Sequence, residues 1–124
     1  MTTMVSEFSP AEVTATVRSP DGQPSGVIVG LIVVQGGTPL QVDKATAIRM
    51  ATRQLLWSHV PGDGRQVKVI PVDEDRDGFY DYVRTESDGY YGNNLLALPI
   101  WSTSTMCYVS PSSSDYLGQL FGGR

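Results

Sequence analysis

The feature that most constrains the fold is an apolar run of eight residues from Val27 to Val34. Eight residues fit a strand buried in a sheet, whereas a membrane-spanning helix needs roughly 18–20 apolar residues. No other apolar stretch of the chain is longer. The chain is therefore expected to build its core around this strand and to have no membrane partner.

Alternating apolar and polar residues predict three further strands. Residues 13–17 alternate in the period-2 pattern of a half-buried strand, and residues 67–71 repeat this pattern. Residues 80–83 begin a fourth strand, and the acidic segment before them makes the last two strands a hairpin.

A helix is predicted between the second and third strands. Asp43 is a suitable N-cap, and the helix is expected to run to about His59, where Pro61-Gly62 ends it. Arg49 and Arg53 lie one turn apart on its polar face. Helical spacing assigns the apolar face to Ala45, Ile48, Ala51, Thr52, Leu55 and Leu56.

These elements predict an α+β fold: a small antiparallel sheet of about four strands with one central helix, in the order β-β-α-β-β. The length of 124 residues suits one domain. Residues 1–11 are expected to form an N-terminal arm, flexible or docked on a partner, and residues 12–101 the domain. Residues 102–124 form a Ser-rich tail, with a short helix predicted from about Asp115 to Phe121.

The charge and the cysteine content limit the classes of partner and the cellular compartment that are expected. The net charge of −4 argues against binding of a nucleic-acid polymer, which usually requires a basic excess. A small anionic ligand fits better, because four of the nine basic residues fall between positions 44 and 65. The single Cys107 forms no internal disulfide, and no signal peptide is expected, so an intracellular setting is predicted.

The acidic loop, residues 73–81, reads Asp-Glu-Asp-Arg-Asp-Gly-Phe-Tyr-Asp and resembles the calcium loops that join two strands in some β-propeller and repeat proteins. Calcium takes six to eight oxygen ligands. Five carboxylates in nine residues repel one another without a cation, which favours metal binding. The alternative is an exposed acidic turn that keeps a hairpin edge soluble. The candidate ligands are the carboxylates of Asp73, Asp75, Asp77 and Asp81 and the carbonyl of Phe79.

Residues 82–99 carry a signature, Tyr-x-Arg-Thr-x-x-Asp-Gly followed by Asn-Asn-Leu-x-x-Leu-Pro. It resembles that of a family of short bacterial and phage domains of unknown function. That family is similar to the phage anti-Thoeris proteins, oligomeric sponges that sequester cyclic ADP-ribose isomers and, in some cases, cyclic oligonucleotides. The resemblance implies a homo-oligomer that binds a small nucleotide-like ligand in the cytoplasm of a bacterial host cell.

The same resemblance implies the ligand-binding residues. Tyr82 would stack on a base, Arg84 would pair with phosphate oxygens, and Asn93, with Asn94 beside it, would read a base edge or a ribose hydroxyl. Arg49 and Arg53 are candidate phosphate partners. The alternative is that folding alone requires the signature, with its asparagines in a turn.

Two hypotheses therefore remain. The first is a non-enzymatic binding module, an anti-defence sponge for cyclic nucleotide or cyclic ADP-ribose signals. The second is a structural or assembly protein of a phage or bacterial surface, stabilised by calcium in the acidic loop. An enzyme is disfavoured, because the single His59 and the single Cys107 have no catalytic neighbours in sequence.

Overall fold

The computed structural model describes residues 6–60, 64–86 and 93–111. One α-helix, one 3-10 helix and eight strands occupy them. In chain order these elements are β1 (Ala11–Ser19), β2 (Val27–Gln35), β3 (Thr38–Asp43), α1 (Lys44–Thr52), β4 (Leu56–His59), β5 (Gln66–Val72), β6 (Tyr82–Thr85), the 3-10 helix η1 (Asn94–Ala97), β7 (Ile100–Ser102) and β8 (Cys107–Val109).

Strand β1 lies at the centre of a mixed sheet ordered β3-β2-β1-β4-β5-β6. It pairs with β2 in the antiparallel direction, and with both β4 and β7 in the parallel direction. Ala11 and Glu12 pair with β4, whereas Thr16 pairs with Ile100 of β7. Two strands therefore share one edge of β1, and β7 continues into a hairpin with β8.

The ladder between β1 and β2 contains two register shifts, one between Val13 and Ala15 and one between Val17 and Arg18. Irregularities of this kind increase the twist of a strand and bend it. The bend explains how the first part of β1 pairs with β4 while the later part pairs with β7.

Helix α1 packs on one face of the sheet, against β2, β3, β4, β5 and β6. It buries Ala47, Met50 and Ala51 in the main core. The strands contribute Ala11, Val13, Leu31, Val33, Val42, Leu56, Val69 and Val83 to that core, and Leu95 and Leu98 close it. A second, smaller cluster joins Ala15, Val17 and Ile32 with the half-buried Trp101.

The prediction of about four antiparallel strands is wrong, because the described residues form eight strands in a mixed sheet. Strand β3 was missed since Pro39 and Gln41 interrupt its apolar pattern, although Val42 is buried and the strand pairs with β2 over six positions. Strands β7 and β8 have three residues each, too few to show a period.

The predicted helix is also too long, since α1 ends at Thr52 instead of near His59. Gln54 takes a left-handed conformation with φ of 61°, and residues 56–59 form β4 between β1 and β5. The adjacent Leu55 and Leu56 fit the helical period as well as the strand period. The pairing of β4 with two neighbouring strands decides in favour of the strand. The predicted apolar face was partly wrong too, because Ala45 and Thr52 are exposed.

The helix predicted at about residues 115–121 lies outside the described residues. Neither helix of the described ranges is long and apolar enough to cross a membrane.

The assignment of the buried helical face can be tested with two substitutions. Met50→Ala removes a side chain with no solvent exposure and is expected to lower the free energy of unfolding by about 2–5 kcal/mol. Ile48→Ala should cost less, because Ile48 is only partly buried. Urea denaturation of both variants checks this, and an equal or reversed order would contradict the packing of α1.

Candidate functional site

A groove of about 400 Å³ opens between β2 and β6 beside the start of α1. Its volume falls in the range of sites for small molecules, about 300–1,000 Å³. We call it the β2–β6 groove. Its walls are mainly apolar and come from Val27, Ile28, Leu31, Ala47, Val83 and Leu96. Its polar lining residues are Lys44, Glu74, Asp81, Tyr82 and Asn93.

Two of the sequence-predicted ligand residues, Tyr82 and Asn93, line the β2–β6 groove. Tyr82 is half-buried at the start of β6, opposite Val72. Asn93 caps the 3-10 helix η1. The structure thus brings Tyr82, the first residue of the signature, and Asn93, from its second half, to the same groove.

The side chain of Asn93 is held by backbone donors. Its Oδ1 accepts hydrogen bonds from the amide of Leu95 at 3.1 Å and from the amide of Thr85 at 3.2 Å. The first bond caps η1, and the second ties η1 to the end of β6. Because Oδ1 is occupied, only the Nδ2 group is left to contact a ligand in the groove.

Asn94 has a structural position. It is fully buried, its backbone amide donates to Thr85 Oγ1 at 2.6 Å, and its Nδ2 donates to the same oxygen at 3.3 Å. Within the described residues its Oδ1 has no hydrogen-bond partner. Asn94 does not line the β2–β6 groove, so the second asparagine of the signature joins η1 to β6 instead of facing that groove.

Arg84 lies on β6 opposite Ile70, is half-buried, and is not among the residues that line the β2–β6 groove. Its Nε donates to the carbonyl of Thr85 at 3.2 Å. The sequence predicts that Tyr82 and Arg84 contact the same ligand, but only Tyr82 lines this groove.

Arg49 and Arg53 hold the described part of the N-terminal arm against α1. Arg49 binds Glu7 with both Nε, at 2.7 Å, and an NH2 group, at 3.1 Å. Arg53 stands 4.5 Å above the ring of Phe8. The hydrogen bond from Arg49 is the main cause of the lowered pKa of Glu7, and burial opposes it only in part. Both arginines lie away from the groove lining.

In the acidic loop, Asp73, Asp75 and Asp81 converge, and one carboxylate oxygen from each lies within 4.8 Å of the other two. Asp77 is not part of this cluster, and its carboxylate accepts the amide of Phe79 at 2.9 Å. The carboxylates of the cluster also accept backbone amides of the loop, such as the amide of Gly78 on Asp73 at 2.8 Å. Gly78 has φ of 92°, a left-handed conformation that glycine adopts without strain. Three of the sequence-predicted metal ligands thus meet at one point, and all of them are hard oxygen donors that suit calcium.

The electrostatics of the acidic loop differ between its carboxylates. Desolvation, together with the negative charge of Asp81, raises the pKa of Asp75. For Asp73, desolvation acts in the same direction, but the backbone amides of Gly78 and Asp77 outweigh it and lower the pKa. A bound cation would relieve the repulsion that Asp75 meets.

The charge of the β2–β6 groove comes from segments that only the fold brings together. Glu74 and Asp81 bring two acids to its lining, and Lys44 brings one cation. Lys44 directly follows the Asp43 N-cap, which the sequence signals clearly, but the proximity of β6 to this end of α1 is set by the sheet order.

The sequence of residues 12–99 matches the model of a family described as Protein of unknown function (DUF3892). The match starts in β1 and ends one residue before β7. No curated protein and no solved structure matches the chain.

The structural role of Asn94 predicts a loss of stability when it is truncated. Asn94→Ala removes the buried Nδ2 donor to Thr85, and we expect the free energy of unfolding to fall by about 1–3 kcal/mol. Leu96→Ala is the control on the same short helix, because Leu96 is 43% exposed and should cost less. Urea denaturation compares them, and an Asn94→Ala variant as stable as the native protein would contradict this role.

Proposed function

The chain belongs to the DUF3892 family, whose function is unknown, and we propose from the site itself that it is a non-enzymatic module binding a small nucleotide-like ligand. The observation that carries this proposal is the β2–β6 groove, where Tyr82 and Asn93 of the signature meet an apolar wall. Such a wall with a few polar groups is typical of small-molecule sites.

The apolar wall and three polar residues of the groove each have a proposed task. The apolar side chains of Leu31, Val83 and Leu96 enclose a base, and the ring of Tyr82 contacts its face. The Nδ2 group of Asn93 donates to a base or ribose oxygen, because its Oδ1 is already occupied. Lys44 pairs with a phosphate oxygen.

We propose that the ligand is a cyclic nucleotide or a cyclic ADP-ribose signal. This is what the resemblance of residues 82–99 implies, since the family of short domains that they resemble is similar to the sponge proteins of phages. The protein would hold this ligand without converting it, in the cytoplasm of a bacterial host and as a homo-oligomer. Because Glu74 and Asp81 also face the groove, ligands with a single phosphate group should bind better than those with two.

Ligand binding at this groove predicts a rise in the melting temperature that the removal of one charge reduces. Cyclic AMP, cyclic dinucleotides and cyclic ADP-ribose isomers are added in separate samples. Binding is detectable as a rise in the melting temperature, because a ligand that binds only the folded state raises stability by about 2.7 kcal/mol at a hundredfold excess over Kd. Lys44→Gln should weaken binding by about tenfold or more, through loss of a charged hydrogen bond.

The matched control is Arg49→Gln, which removes the same charge from the same helix at a position bound to Glu7. This variant should retain the ligand-induced shift. The proposal fails if no ligand of the panel raises the melting temperature, or if Arg49→Gln loses binding as Lys44→Gln does.

We also propose, as a second function, that the acidic loop binds calcium and that the cation stabilises the β5–β6 hairpin in a structural or assembly role. The convergence of Asp73, Asp75 and Asp81 within 4.8 Å favours it. Asp81 lines the β2–β6 groove as well, so a cation there would also reduce the negative charge that a phosphate meets.

Calcium binding predicts that the melting temperature is higher in calcium chloride than in chelator, because the cation binds only the folded loop. Asp75→Asn should remove most of that difference. Glu74→Gln is the control, since Glu74 has the same charge in the same loop but lies outside the carboxylate cluster. Equal melting temperatures in calcium and chelator, or an unchanged shift in Asp75→Asn, would refute the calcium site.

A further inference from the structure

The end of α1 places a strained side chain at the surface. Gln54 has φ of 61°, its amide donates to the carbonyl of Ala51 at 2.9 Å, and its side chain is exposed. Glycine is the residue usually found directly after a helix in this left-handed conformation, because any Cβ is strained there. Strained non-glycine residues often cluster where a side chain serves a function.

Gln54 lies at one end of a second groove, of about 570 Å³, that runs along the hairpin of β4 and β5. We call it the β4–β5 groove, and its lining shares no residue with that of the β2–β6 groove. Its polar and aromatic lining residues are Gln54, Trp57, Arg65, Gln66, Lys68 and Glu86.

Trp57 and Lys68 are direct partners across the β4–β5 ladder. Partners in an antiparallel ladder project to the same face of the sheet, with Cβ atoms about 4.5–5.5 Å apart. The side chains of Trp57 and Lys68 therefore project from the same face of the sheet and both line this groove. Within the described residues, the Lys68 ammonium makes no hydrogen bond or ion pair.

The indole ring of Trp57 is braced from one side. His59 meets it in a T-shaped contact, with ring centroids 5.1 Å apart. The Nδ1 atom of His59 in turn lies 2.7 Å from the Glu12 carboxylate on β1. A ring fixed in this way is a preorganised surface for stacking, because little side-chain freedom is lost when a ligand binds.

We propose that the β4–β5 groove is a second ligand site, for a flat aromatic ring that carries one anionic group. The ring stacks on Trp57, the anionic group pairs with Lys68, and the amide of Gln54 hydrogen-bonds the edge of the ring. Glu86 lines the same groove and opposes the anion, so its charge limits the affinity.

The test measures binding by isothermal titration calorimetry. Adenosine monophosphate and 4-hydroxybenzoate are the ring-bearing anions. Adenosine monophosphate should bind at least tenfold more tightly than adenosine or inorganic phosphate, and 4-hydroxybenzoate at least tenfold more tightly than phenol or acetate. Lys68→Gln should weaken that binding by about tenfold, and Glu86→Gln should strengthen it severalfold.

Gln54→Gly separates function from folding. Since glycine removes the strain, the melting temperature should rise by about 2–5 °C, while binding of the ring-bearing anion should weaken severalfold. A phosphate-only response would make the site a simple anion site and overturn the aromatic part of the proposal.

Three other results would overturn the whole proposal. The first is that neither ring-bearing anion binds the full chain. The second is that Lys68→Gln and Gln54→Gly both bind as the native protein does. The third is that Lys44→Gln abolishes binding while Lys68→Gln retains it, because the ligand would then occupy the β2–β6 groove.

Discussion

The shared edge of β1 is the constraint on which the rest of the structure depends. Its first residues hydrogen-bond β4 and a later residue pairs with β7, while β2 takes the whole opposite edge. This arrangement places the β4–β5 hairpin and β6 on one side of α1 and places β2 on the other. The β2–β6 groove exists because these two strands flank the same helix without pairing with each other.

Local sequence patterns predict the strands and the helix that have a clear hydrophobic period. They fail where pairing with a distant strand determines the secondary structure. The alternation in β1 and β5, the apolar run of β2 and the Asp43 cap of α1 are all present in the structure. Strand β4 was hidden inside the predicted helix, because its role depends on β1, more than forty positions away. Similarly, the Asp21 carboxylate accepts hydrogen bonds from Ser102 at the end of β7 and from Ser104 in the β7–β8 turn, and no local pattern predicts this contact.

The candidate sites show the same division. Residue type and spacing identified Tyr82, Asn93 and the acidic loop, and the structure brings Asp81 of that loop to the groove that Tyr82 and Asn93 line. The same reasoning assigned Arg49 and Arg53 to a ligand, whereas they bind Glu7 and Phe8 of the chain itself. It placed Lys44 only within the basic group of residues 44–65 and did not identify Gln54. The position of Lys44 in the groove depends on the sheet order, and that of Gln54 depends on a backbone conformation.

Nuclear magnetic resonance titration tests most directly whether the β2–β6 groove is the site of nucleotide binding. The amide spectrum of the full chain is followed in separate titrations with cyclic AMP, a cyclic dinucleotide and a cyclic ADP-ribose isomer. The account predicts shifts concentrated at Lys44, Val83, Asn93 and Leu96, which belong to three separate segments that meet at this groove. Spectra that do not change, or shifts confined to residues remote from the groove, such as Trp57 and Lys68, would contradict it.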